Sequence, residues 1–321
     1  MRGQDRFVAR HGESWDALEE ALNRLEGGQT VSAHDFPQSY RRLCQQLALA
    51  QSRSYNPALV DRLNRMVLRG HQQLYGRPLI TPRLVEGIQR TFPRRVRAEW
   101  RLVLLSSAIF TVPLLLTIGL LKLDPSLIHS ILDPMTLANV ESMYDPASEH
   151  FLKGRSAETD IEMFGFYIRN NIGIGFRVFA SGLLAGLGSS AFLAYNGLFI
   201  GAVIGHLDNI GFAGTLYPFM IAHGAFELTA IVLAGAAGLR LGSAIIAPGR
   251  RSRRAALGEA AAAAMPIVYG FTGMLLIAAG IEAFWSPRYT LPLSIRYGVG
   301  AAMWVLVGVY LLLAGRRNAA G

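Results

Sequence analysis

The chain has 321 residues, 51% of them hydrophobic and only 17% charged, with a formal net charge of +9. Its one cysteine, Cys44, excludes an intrachain disulfide, dithiol redox chemistry and a cysteine-based metal cluster. The basic excess is almost all arginine and crowds beside apolar runs, at Arg94, Arg95, Arg97 and Arg101, at Arg250, Arg251, Arg253 and Arg254, and at Arg316 and Arg317. That placement fits positive-inside sorting at a membrane and argues against nucleic-acid binding.

Residues 1–98 read as a cytoplasmic region of amphipathic helices. Val8, His11, Trp15, Leu18, Leu22 and Leu25 recur at alternating spacings of three and four and stop at Gly27 and Gly28. A second stripe, Phe36, Tyr40, Leu43, Leu47 and Ala50, follows Ser32 as N-cap and breaks at Asn56-Pro57. Leu59, Leu63, Val67 and Leu74 make a third, closed by Gly76 and Pro78. Three such stripes predict an antiparallel helical bundle, and the arginine-rich stretch 94–101 after it is expected against lipid head groups.

Residues 99–321 predict an all-α, polytopic helical membrane domain of about six spans, at 102–121, 172–190, 192–207, 216–239, 263–284 and 293–314. A run of about twenty apolar residues is long enough to cross the hydrocarbon core. The first run begins too far along the chain for a cleavable signal, so the N-terminal region is expected to stay in the cytoplasm. The stretch 122–164 holds three basic and eight acidic residues, which places a loop at 122–165 outside the cell. Both termini are then cytoplasmic, in the cell (inner) membrane. The run 192–207 is short, and a full span and a re-entrant hairpin stay open for it.

Two sets of residues carry the expectations for a site. Gly182 and Gly186, and then Gly197, Gly201 and Gly205, are spaced by four, which puts each set on one helix face for close packing, within a subunit or in a homodimer. Arg177, His223, Glu227, Asn170, Asn171 and Asn196 are polar at membrane depth, where an ionisable group needs a partner or a wet cavity. Glu227 is expected to pair with Arg177, with His223 and the three asparagines completing a buried cluster. The cluster either fastens helices together or forms a proton or ion pathway, a binding pocket or a metal site, since a histidine and a glutamate four apart can both ligate a metal. No second histidine or carboxylate lies near His223 and Glu227 in sequence, so no metal and no cofactor are expected. No serine elbow, phosphate loop, dinucleotide-binding glycine pattern or paired-histidine motif is present, so no catalytic residue is assigned.

Several segments resemble the stage II sporulation protein M family of integral membrane proteins: the Phe7 to Leu18 stretch with Trp15, Tyr40-Arg41-Arg42-Leu43, Leu63-Asn64, Leu74-Tyr75-Gly76, and Phe92-Pro93-Arg94-Arg95-Val96-Arg97. Asn170-Asn171, Asn196-Gly197, His223-Gly224-Ala225-Phe226-Glu227, the run from Ala234 to Leu239, and Pro248-Gly249 carry it further. The resemblance implies a non-enzymatic membrane component of a multiprotein envelope complex, a scaffold or anchor. The family's named member works with other sporulation proteins in remodelling septal peptidoglycan. Relatives in bacteria that do not sporulate share the long N-terminal region, and resemble parts of clusters with an RDD-type membrane protein, a MoxR-type ATPase and von Willebrand-type proteins. Expected partners are therefore the lipid bilayer and membrane or cytoplasmic proteins docking on residues 1–98. A transporter or channel that uses the buried Arg/His/Glu cluster is the alternative.

Overall fold

The computed structural model describes residues 2–27, 36–75, 82–147 and 156–316. Gly28, the Ser32 cap, the Gly76 to Pro78 break, part of the 122–165 loop and Arg317 lie outside the described residues. The described residues are helices and short connections, with no strand. They form two compact units, Met1–Leu84 and Val85–Gly321, so the division falls upstream of the expected 98/99 boundary. Its cause is local: Phe92 and Val96 are buried in the apolar core of the second unit.

In the first unit, helices α1 (Arg2–Glu26), α2 (Phe36–Ser52) and α3 (Pro57–Tyr75) bury the three stripes against one another. Trp15, Leu22, Leu43, Leu63 and Met66 are almost wholly enclosed. On α1 the core position is Phe7, whereas Val8 is exposed. Gln46 ties α2 to α1, accepting from Trp15 Nε1 at 2.7 Å and meeting His11 Nδ1 at 3.1 Å. Arg62 and Arg69 of α3 pair with acids of α1: Arg62 with Asp16 and Glu19, Arg69 with Glu26.

The second unit begins where α4 (Pro82–Glu86) runs into a π-helical turn (Gly87–Thr91) and α5 (Phe92–Ala98). Among the described residues, five helices are long and apolar enough to cross a membrane: α6 (Trp100–Leu123), α10 (Leu187–Asn209), α11 (Ala213–Ile246), α12 (Arg253–Gly280, continuing to Trp285 as a π-helical turn) and α13 (Leu293–Leu313). Even the shortest, 21 residues, is about 32 Å long at 1.5 Å per residue. Their outward faces carry Leu104, Val112, Leu115, Val305, Val309 and Leu312 exposed, an apolar surface suited to lipid. The all-α polytopic membrane fold follows.

The second expected span, 172–190, is not one helix. Ser156 caps an earlier start, its hydroxyl accepting from the Thr159 amide at 3.2 Å, and α9 runs Ala157–Ala180. A 3-10 turn (Ser181–Leu183) and two residues at positive φ, Ala185 at 52° and Gly186 at 80°, then reverse the chain into α10. Gly186 supplies the left-handed conformation that a side chain would resist. The charges Glu158, Asp160, Glu162, Arg169 and Arg177 keep α9 out of the apolar set, but it is 24 residues long. The short 192–207 run lies inside α10, which is 23 residues long.

Contacts order the path. At one end, the loop end, Lys122 in the last turn of α6 pairs with Asp208 of α10, Asp160 of α9 lies 3.8 Å from Arg288, and Thr215 of α11 donates to the Tyr144 carbonyl at 2.6 Å. At the opposite, arginine end, Ser189 of α10 donates to the Val178 carbonyl at 2.6 Å, and Arg97 donates to the carbonyls of Leu311 and Ala314 at 2.7 and 2.8 Å. Among the described residues, six helices thus traverse the unit. Between α6 and α9, the 3-10 turn Pro125–Leu127 and helices α7 (Ile128–Ile131) and α8 (Pro134–Tyr144) fold over the loop end, where Glu141 meets His206 Nε2 at 2.8 Å.

α11 is central and touches α6, α9, α10, α12 and α13. Its buried Ala222, Ala225, Ala230, Ala234, Ala237 and Gly238 keep it slim enough for that. Arg97 holds the carbonyls of Leu311 and Ala314 at the C-terminus of α13, where intrahelical donors run out, and Arg94 holds that of Gly315 just beyond it.

Candidate functional site

The polar groups converge near the loop end of the second unit. α11 presents His223 and Glu227 one turn apart on one face, with His223 Nε2 3.9 Å from Glu227 Oε2. His223 sits ten residues into α11, roughly 15 Å from its start. Its ring packs against Phe219, with centroids 5.3 Å apart. Its other nitrogen, Nδ1, lies 3.0 Å from Ser286 Oγ.

Ser286 ends the π-helical turn Ile281–Trp285, closed by its amide donating to the Ile281 carbonyl at 2.9 Å. A π turn widens the helix and re-aims the side chains within it. Here it carries Glu282 inward: one ligand-type atom from each of His223, Glu227 and Glu282 lies within 4.8 Å of the others. Asn171 of α9, 2% exposed, donates to Glu282 Oε2 at 3.2 Å and accepts from the Asn170 amide at 2.9 Å. Arg296 of α13, 3% exposed, donates to the Ser286 carbonyl at 2.9 Å and places its guanidinium 5.0 Å from the Tyr289 ring centroid. Four helices therefore fix the cluster.

A cavity of about 510 Å³ opens beside it, lined by Tyr144, Thr159, Met163, Tyr167, Phe219 and Tyr289 among others. The Phe219 that lines this cavity is the ring packed on His223. Tyr144, on α8 outside the spanning helices, has its phenol pushed above its ordinary value, first by burial and then by the charge of Glu282, with Tyr167, Tyr289 and Glu227 adding. The electrostatics thus join the cavity wall to the two carboxylates.

The structure departs from the expected cluster at two residues. Arg177 does not meet Glu227: its Nε donates to the Gly173 carbonyl at 3.1 Å, and its side chain lines a separate exposed depression with Phe166, Arg169, Asn170 and Gly173. It lies in the last turn of α9, about 9 Å along the helix beyond Asn171. Asn196 is half-buried but stays on its own helix, donating to the Phe192 carbonyl one turn back. His223, Glu227, Asn171 and, through Asn171, Asn170 do come together. Glu282, Ser286, Arg296 and Tyr144 were missed; the available signal was Glu282 itself, the acid inside the 263–284 apolar run. The reason given for expecting no metal falls with it, because the second carboxylate arrives from another helix.

The glycines divide likewise. On α10, a Cβ at Gly197 would strike the Phe110 carbonyl oxygen, one at Gly201 would lie 2.5 Å from the Leu114 oxygen, and one at Gly205 would crowd Leu121 and Ile118. That face is occupied by α6. Gly182 and Gly186 do not share a helix face, since they lie in the turn, but both touch α11 backbone, at Gly238 and Gly242.

The sequence model of the family described as stage II sporulation protein M matches residues 102–287, more than half of the chain and all of the cluster except Arg296. The chain belongs to the stage II sporulation protein M family. Residues 5–76 match a second description, a domain of unknown function, DUF8413, which lies within the first compact unit. No curated protein and no solved structure matches the chain. In this sporulation protein M-like chain the family match ends just beyond Ser286, so the π turn and its Glu282 lie inside it.

Proposed function

We propose that this family member is a non-enzymatic membrane component whose second unit binds a small cation at the His223, Glu227 and Glu282 cluster and passes it across the bilayer. It resides in the cell membrane with the arginine end in the cytoplasm, so the cavity beside Tyr144 faces outside. The observation that carries this reading is the meeting of two carboxylates and a histidine from α11 and the π turn next to that cavity. Ionisable groups at membrane depth are costly and typically mark ion paths or binding sites. A purely fastening role needs no adjoining cavity.

The test is flux in proteoliposomes holding the full chain, with protons and divalent cations offered separately. The parent is expected to pass one of them, and Glu227→Gln to lose at least tenfold of that flux while eluting as a folded protein. A folded parent that passes none of these ions would defeat the proposal.

A second reading concerns the first unit, supported by its own buried core and its own family match. It serves as a docking module for membrane or cytoplasmic partners, as in a scaffold. Deletion of residues 1–84 is then expected to leave reconstituted flux unchanged and to abolish partner capture in cells.

A further inference from the structure

We infer that His223 Nε2, one oxygen of Glu227 and one oxygen of Glu282 form a binding site for a divalent transition-metal ion of the zinc and manganese class. The inference deepens the proposed function and rests on it for the role of the ion, but the site itself stands on geometry. The three ligand atoms lie within 4.8 Å of one another, a spread that an ion bonded at about 2.0 to 2.2 Å to each can gather with small side-chain movements.

The surroundings have the form of a metal site's outer shell. His223 Nδ1 lies 3.0 Å from Ser286 Oγ and Nε2 faces Glu227; in the metal-bound form Nδ1 carries the proton and donates it to Ser286, leaving the Nε2 lone pair for the ion. Such a bond at the far nitrogen fixes both tautomer and ring angle. Asn171 holds Glu282 by the hydrogen bond to Oε2, and is itself held by Asn170. Ser286 is in turn fixed through its carbonyl by Arg296. Two carboxylates balance the charge of a divalent ion and suit manganese, and the imidazole beside them favours zinc or iron over magnesium and calcium. Three protein ligands leave a coordination position open for water, which the ion can exchange as it enters from or leaves to the cavity.

The full chain, purified in detergent and stripped with a chelator, is titrated with Zn²⁺ and Mn²⁺. One ion per chain is expected, with Mg²⁺ and Ca²⁺ at least tenfold weaker. His223→Gln and Glu282→Gln are each expected to weaken binding at least tenfold, and Asn171→Ala, which removes a support and no ligand, roughly 10- to 100-fold. X-ray absorption of the zinc-loaded protein should show one imidazole among oxygen ligands. If His223→Gln does not fold, Glu282→Asp, which keeps the charge and retracts the oxygens, provides the same comparison. A parent that binds neither Zn²⁺ nor Mn²⁺, or a folded His223→Gln that binds like the parent, overturns the site. A metal bound as described but not transported leaves the site standing and removes the passage; proton flux with no metal bound does the reverse.

Discussion

Gly182 and Gly238 meet backbone to backbone: a Cβ built on Gly182 would overlap the Gly238 carbonyl, while one on Gly238 would strike Ser189 Oγ and lie 2.9 Å from the Phe179 carbonyl oxygen. The turn between α9 and α10 is seated on α11 through this contact. The site depends on it indirectly, because it helps to set α9, which carries Asn171, against α11, which carries His223.

Gly238→Val is therefore expected to destabilise the membrane unit by about 3 kcal/mol or more, since backbone cannot yield as a side-chain tip can. Gly308→Ala, where nothing lies within 4 Å, serves as the control and should be silent. Thermal unfolding in detergent, followed by circular dichroism, measures both. A Gly238→Val protein as stable as the parent would contradict the packing.

The first unit is expected to fold alone. A fragment of residues 1–84 should be soluble and helical, and Leu63→Ala, at a fully buried position, should cost about 2 to 5 kcal/mol in urea unfolding. An insoluble or strand-rich fragment would refute the three-helix core.

The same fragment has a defined acid response. The hydrogen bond from Arg69, at 2.8 Å, holds the Glu26 carboxyl below its ordinary value of 4.5, more than burial raises it. A carboxyl depressed on folding stabilises above its unfolded value, and that contribution is lost as pH falls through the folded value. Glu26 is exposed and Arg69 half-buried, so solvent screens the pair and the expected loss is under about 1 kcal/mol. Urea midpoints between neutral and acid pH should fall less steeply in Glu26→Gln than in the parent.

Orientation is tested by labelling. With Cys44 replaced and a single cysteine placed at Ser252, between α11 and α12, an impermeant thiol reagent applied to intact cells is expected to leave the protein unlabelled. A cysteine placed at Ser142 of α8, which is exposed, is expected to label. The opposite pattern would invert the topology and close the proposed outer approach to the cluster.

The sequence by itself determined what local composition can determine. Hydropathy over about twenty residues finds apolar spans because transfer into lipid depends on each segment's own side chains. The stripes through Leu22, Leu43 and Leu63 expose their helices for the same reason: periodicity is a property of one element. His223 and Glu227 were legible as a pair because one helical turn separates them.

Tertiary structure decided the rest. Glu282 reaches the cluster through a π turn and a crossing of α12 with α11, and no spacing along the chain encodes that distance. Arg177 and Glu227 had similar expected depths, yet Arg177 falls in the last turn of α9 and turns back to the Gly173 carbonyl instead. The turn at 181–186 looked like helix because its glycines are spaced by four; the positive φ of Ala185 and Gly186, and the contacts of Gly182 and Gly186 with α11 backbone, appear only once the helices are packed. Burial of charge is a property of neighbours, and in this chain the neighbours that matter come from different helices.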